Sequence, residues 1–395
     1  MKVAKGSVWF SLVCTLVLFL LHLVLPTMVN GFQRNQSSAS IWQILWNDTY
    51  GESLCLDRLK LCEFYRRPLM YRLQMALHEV GIPYQFSFVF ISFLCLFFVS
   101  RLLLMVARQL HVADRWRNWI LIIFFLHFSI LFAFFDSMST YDEPITYVLL
   151  LLSFYFLLKG KTLWWMLFFL LSAIGRETVF CYWPLFIWLE PEKKALRKWG
   201  YFLLLPILYM LYLYLYLPGT VQTESLQFLT TQRGFAWKYN FRNGYESIQS
   251  ILCAFMVLAI PLYLLIQIRK QENLTSVQKK LILYSIGFCV VNTFLVWFTG
   301  LAAEARLFTL PLLLGLPLWC LYFERIGTHY SSWRNWLSWD ILLAGMGSAV
   351  FIWRFYRCYE STFWAATFFK AYAVFSMLGL YLLIKVKRRN YVSAQ

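Results

Sequence analysis

The stretch TLWWMLFFLLSAIGRETVFCYWPLFIWLE, Thr162–Glu190, decides how this chain is read. Its 29 residues are almost all apolar, and one charged pair, Arg176-Glu177, interrupts them. A helix needs about 20 apolar residues to cross a bilayer. Ionisable groups set within such a run are costly unless they are paired or functional. The pattern therefore predicts two short membrane helices that meet in a polar turn at Gly175–Thr178.

Similar apolar runs recur along the whole chain. They predict twelve spans, at 8–27, 85–107, 118–135, 144–158, 162–174, 179–189, 201–217, 248–268, 281–300, 307–323, 338–355 and 362–384. The composition agrees. Of 395 residues, 61% are hydrophobic, 20% aromatic and 14% charged, where soluble domains run at about 45–50% apolar and about 25% charged. A water-soluble enzyme, a disordered chain and a disulfide scaffold are thereby excluded. The expected fold is all-α, a polytopic transmembrane helical bundle forming one integral membrane unit over 1–395. The first span has no A-x-A site after it and reads as a retained helix rather than a cleaved leader.

Orientation follows from the basic residues. With the N-terminus inside, the inner side holds 22 of the 36 Lys and Arg but only 6 of the 19 Asp and Glu. Inner loops rich in Lys and Arg set topology, so both termini are expected in the cytoplasm. The net charge of +17 is then mostly a property of topology. Membrane lipid is the expected partner, and nucleic acid is not. The inner loops are too short for a catalytic domain. The outer side carries two long connections, 28–84 and 218–247, and three short acid-bearing turns, at 136–143, 175–178 and 302–306. Any chemistry is expected there. Within 28–84, the stretches 41–46 and 69–80 predict amphipathic helices lying on the membrane surface.

Several outer residues have the right chemistry for a site. Asp136, Asp142 and Glu143 place three carboxylates within eight positions, followed by Pro144. They suit N-terminal helix capping, general-base work, or a hard divalent cation such as Mg or Mn. No cofactor is demanded by the sequence. Arg176 and Glu177 read either as a mutually neutralising pair or as an arginine, oriented by Glu177, waiting for an anionic headgroup. Glu304 and Arg306 repeat the theme on a later outer turn. Arg66 and Arg67, before Pro68, read as a phosphate-contacting patch at the interface. His22 and His127 lie in apolar spans and read as core residues. Most of the nine cysteines lie in or beside apolar segments; Cys55 and Cys62 share the first outer loop and could pair if it is oxidised. There is no nucleotide-phosphate loop, which argues against a nucleotide-bound donor. Within the first outer loop, glycosylation sequons at Asn35 and Asn47 permit an endoplasmic reticulum location. The composition otherwise suits a bacterial inner membrane.

A first span, a long outer loop with surface helices, and short hairpins with acidic outer turns together resemble the GT-C class of integral membrane glycosyltransferases. The stretches Tyr65-Arg66-Arg67-Pro68-Leu69, Tyr141-Asp142-Glu143-Pro144, Gly175-Arg176-Glu177-Thr178 and Glu304-Ala305-Arg306-Leu307-Phe308 are similar to a bacterial branch of that class. The resemblance implies a polyprenyl-phosphate-linked sugar as donor. It also implies a catalytic carboxylate soon after the first span, but Met28–Arg34 contains none. That role falls to Asp142, or to Asp48, with Arg176 and Arg306 facing the departing phosphate. Two other readings stand beside it: a transporter or flippase for a lipid-linked substrate, and a non-catalytic assembly subunit with the same fold.

Overall fold

The computed structural model describes residues 5–24, 67–134, 142–190, 195–216, 236–299, 305–326, 339–355 and 363–392. Among the described residues every regular element is helical and none is a strand. Four helices are long and apolar enough to cross a membrane: Phe86–Gln109, Gly244–Arg269, Ser276–Phe298 and Thr367–Lys385. Shorter apolar helices accompany them. Their outer faces are what a membrane protein requires. Leu203, Ile207, Met210, Leu211, Tyr214 and Leu215 recur at helical spacing on one exposed face. In water such a stripe would be an aggregation liability; against lipid tails it is matched to its solvent.

Seven helices build the part of the bundle that carries the charged residues. They are α1 (Lys5–Val24), α2 (Pro68–Glu79), α3 (Tyr84–Gln109), α4 (Asp114–Phe125), α5 (Phe128–Ala133), α6 (Glu143–Leu158) and α7 (Thr162–Gly175). The long α3 is central and packs against α1, α2, α4 and α6. A helix is present at the predicted 69–80, as α2, with Pro68 in its first turn, where a missing N–H costs nothing. The stretch 41–46 lies outside the described residues.

Helices α6 and α7 form a tight antiparallel hairpin. Gly160, at φ +65°, reverses the chain between them: its N–H bonds the Leu157 carbonyl and that of Lys161 bonds Phe156. Buried hydroxyls then stitch the pair. Ser153 donates to the Trp165 carbonyl at 2.7 Å, and Ser172 to the Thr146 carbonyl at 3.1 Å. Such interhelical bonds hold helices where lipid supplies no hydrophobic drive.

The remaining helices are α8 (Trp183–Leu189), α9 (Ala195–Tyr216), α10 (Ala236–Asn240), α11 (Gly244–Arg269), α12 (Ser276–Thr299), α13 (Trp319–Ile326), α14 (Trp339–Phe355) and α15 (Phe363–Val392). The long α11 packs on α12, α13 and α15, and α14 packs on α15.

Three expected helices are not continuous; the one at 179–189 begins as a 3₁₀ helix, Glu177–Tyr182, before α8. The segment predicted at 118–135 breaks at His127, which adopts extended backbone between α4 and α5. The Leu126 carbonyl at the break is taken by the Tyr372 hydroxyl, which donates to it at 3.0 Å. Within α5, His22 Nε2 donates to the Ile130 carbonyl at 2.9 Å and ties α1 to this segment. A break among apolar helices is tolerated when neighbouring side chains take over the freed groups. The segment predicted at 307–323 is instead a series of short 3₁₀ turns leading into α13. Pro311 and Pro317 lack the N–H groups that a continuous α-helix would use.

Candidate functional site

Three segments deliver charge to one end of the α6–α7 hairpin. Asp142 and Glu143 stand at the start of α6, Arg176 and Glu177 follow the end of α7, and Arg67 immediately precedes α2. An antiparallel hairpin necessarily brings the first two pairs together. The partial positive charge at the start of α6 favours carboxylates at this point. Gly175 then sets how close the segments come. A Cβ there would sit 2.7 Å from Thr146 Oγ1 and 3.5 Å from Leu69 Cδ1, so the end of α7 rests on α6 and α2 at once.

Arg67 is the hub. Its Nε donates to Glu177 Oε2 at 2.9 Å and its Nη2 to Glu177 Oε1 at 2.6 Å, a two-pronged grip. Its Nη1 donates to Asp142 Oδ2 at 2.9 Å. Arg176 Nη1 donates to Glu143 Oε1 and lies 3.9 Å from Asp142 Oδ1. Tyr147 completes the set, its hydroxyl donating to Glu143 Oε2 at 3.1 Å. Asp142 and Glu143 are almost fully enclosed, with side chains 3% and 6% exposed, while Glu177 is the open member at 33%. Two guanidiniums and three carboxylates thus form one charged cluster, and Asp142 faces both cations.

Several expected residues meet here, though with different partners. Glu177 is gripped by Arg67 and also feels the charge of Arg176, while Arg176 reaches Glu143. Asp142 occupies the capping position of α6, yet its side chain makes no capping hydrogen bond and turns to Arg67 instead. Arg67 is no loose interfacial cation; it is 11% exposed at the centre of the cluster. Asp48, Arg66, Asp136 and Glu304 lie outside the described residues. The backbone of Arg306 belongs to a 3₁₀ turn that packs among α5, α11 and α12, while its side chain lies outside the described residues. Among the described residues no three His, Cys, Asp or Glu gather to hold a metal ion.

The reading of the sequence missed Tyr147 and Thr146. Tyr147 stands four residues after Glu143, the spacing at which side chains meet on a helix, so its role was open to inference. Thr146 had no such signal, since its importance comes from Gly175 lying against it.

The cluster makes stability depend on pH. Burial alone would raise the Glu177 carboxyl, but the charge and hydrogen bonds of Arg67 outweigh it and hold the group at about 2, below the ordinary 4.5. A carboxyl depressed in the folded state stabilises above its unfolded value, and that contribution is lost as pH falls toward the folded one. Wild type should therefore melt higher than Glu177→Gln near neutrality, with the gap closing as pH drops from about 4.5 to about 2. A gap constant across that window would show that the charge of Glu177 is not what stabilises.

Chemically, the guanidiniums can hold an anion and the carboxylates can accept a proton, at one end of an apolar bundle. Compared with protein-family models, with curated proteins and with solved structures, the chain matches none.

Proposed function

We propose that this chain is a GT-C-type membrane glycosyltransferase, moving a sugar from a polyprenyl-phosphate carrier to an acceptor hydroxyl. In this reading it crosses a bacterial inner membrane twelve times with both termini in the cytoplasm, and the Arg67 cluster opens on the extracytoplasmic face. The observation that supports it is the convergence of Arg67, Arg176, Asp142, Glu143 and Glu177 from three segments of an apolar chain. Cations placed beside a carboxylate are what transfer from a lipid phosphate needs.

Asp142 would accept the proton of the acceptor hydroxyl. The hydroxyl oxygen then bonds to the anomeric carbon as the bond from that carbon to the phosphate oxygen breaks. The electron pair leaves with the polyprenyl phosphate, whose growing charge Arg67 and Arg176, with Arg306, would stabilise. Glu143 and Tyr147 hold Arg176 in place, and Glu177 holds Arg67. A bilayer-embedded polyprenyl tail would bring the headgroup to this end already positioned.

A second reading draws on a specific observation. Both carboxylate oxygens of Glu177 are already taken by Arg67, as they would be in a clasp that merely locks α2 onto the hairpin of a non-catalytic subunit. Turnover separates the two. With polyprenyl-phosphate sugars as donors, Asp142→Asn should slow transfer by roughly 10²–10⁴-fold while the protein stays folded. Equal rates for wild type and Asp142→Asn would remove Asp142 as the base. No transfer by wild type from any donor would leave the clasp.

A further inference from the structure

All three nitrogens of the Arg67 guanidinium donate to carboxylates: Nε and Nη2 to Glu177, Nη1 to Asp142. A guanidinium receives a phosphate on the same fork of N–H groups that it offers a carboxylate. The fork formed by Nε and Nη2 is therefore already filled, and the group that fills it has the shape of an anionic ligand.

Charge points the same way. With all five groups ionised, the two guanidiniums and three carboxylates carry a net charge of −1. A further anion entering that cluster would be repelled. Withdrawing Glu177 leaves the other four groups neutral in sum and opens the better fork of Arg67.

Among the three carboxylates, Glu177 is the one able to leave. Asp142 and Glu143 are enclosed, at 3% and 6% exposure, and either would become a buried charge without its partner. Glu177 is 33% exposed, so water can receive it. Its place in the chain helps. Arg176 is extended, at φ −160° and ψ 117°, and Glu177 is the first residue of the 3₁₀ helix Glu177–Tyr182. A change of side-chain rotamer there frees Arg67 without unwinding α7. Arg67 meanwhile keeps its Nη1 bond to Asp142, which holds it beside the hairpin.

We infer that Glu177 is a latch: its carboxylate stands in for a phosphate on the Arg67 fork and closes the site until a lipid-linked phosphate displaces it. The latch rests on the reading of the cluster as a donor site. The clasp that ties α2 to the hairpin is then the closed state of that site.

The test is binding of farnesyl phosphate, a short polyprenyl phosphate, to the full chain in nanodiscs, with each variant first shown to be folded by its melting transition. Glu177→Gln should bind roughly tenfold more tightly than wild type, because a closed state populated nine times in ten costs that factor in affinity. It should do so while melting lower than wild type near neutrality without ligand, a combination that a merely structural Glu177 would not produce. Glu177→Asp keeps the charge but is one methylene short of the two-pronged grip, and it should fall between the two. Glu79→Gln, which removes an exposed acid at the far end of α2, should match wild type. Farnesol, which lacks the phosphate, should not distinguish wild type from Glu177→Gln. Equal or weaker binding of farnesyl phosphate by Glu177→Gln overturns the latch and leaves the donor site standing. The same gain in Glu79→Gln, or with farnesol, also overturns it. No binding by wild type or by Glu177→Gln removes the donor site and the latch together.

Discussion

Arg67→Ala is expected to lower stability by about 3–5 kcal/mol, the cost of removing one partner from a buried ion pair. The truncation strips hydrogen bonds from two carboxylates at once, Asp142 at 3% exposure and Glu177. Arg176 cannot replace it, because its nearest approach to Asp142 is 3.9 Å and its closer contact is with Glu143. Arg67→Lys should recover less than half of the loss, since an ammonium restores charge but not the two-pronged grip on Glu177. Reversible unfolding in mixed micelles measures both variants. A loss below about 1 kcal/mol for Arg67→Ala, the range of an exposed pair, would mean that water reaches the cluster freely.

Gly175→Ala is expected to cost about 1–3 kcal/mol through overpacking, although it adds only one methyl group. The new Cβ would lie 2.7 Å from Thr146 Oγ1, closer than van der Waals contact permits. Thr146 is β-branched, fully buried, and committed to the Asp142 carbonyl at 2.8 Å, so it cannot rotate away cheaply. Strain therefore passes to the first turn of α6, where Asp142 and Glu143 sit. Thr146→Ala removes the obstructing hydroxyl. In that background Gly175→Ala should cost less, with a coupling of about 0.5–3 kcal/mol between the two positions. Strict additivity in the double-mutant cycle would show that the two helices do not touch at this point.

These two residues also show what the sequence could and could not disclose. That Gly175-Arg176-Glu177-Thr178 turns the chain was legible, because only a turn places two charges within 29 apolar residues. The helix after Pro68 was legible from its amphipathic pattern and its proline. The cluster as a contact map was not. Arg67 meets Asp142 across 75 positions and Glu177 across 110, and no local periodicity encodes which arginine takes which carboxylate. Arg176 meets Glu143 and Glu177 meets Arg67, two longer-range contacts that the adjacency of Arg176 and Glu177 does not suggest. The broken helix at His127 was hidden for a related reason: Tyr372 takes the Leu126 carbonyl at the break, and it lies far away in the chain. The 3₁₀ turns at 305–318 left a signal in Pro311 and Pro317, which hydropathy alone overrides.

Polyprenyl-phosphate binding to the full chain in nanodiscs bears most directly on whether the Arg67 cluster is a donor site. It should be measured for wild type, Arg176→Ala and Asp142→Asn, each first shown to be folded by its melting transition. Wild type is expected to bind the lipid and melt higher in its presence, Asp142→Asn to do the same, and Arg176→Ala to lose most of both responses. Equal binding by wild type and Arg176→Ala, or no binding by any of the three, would contradict the assignment.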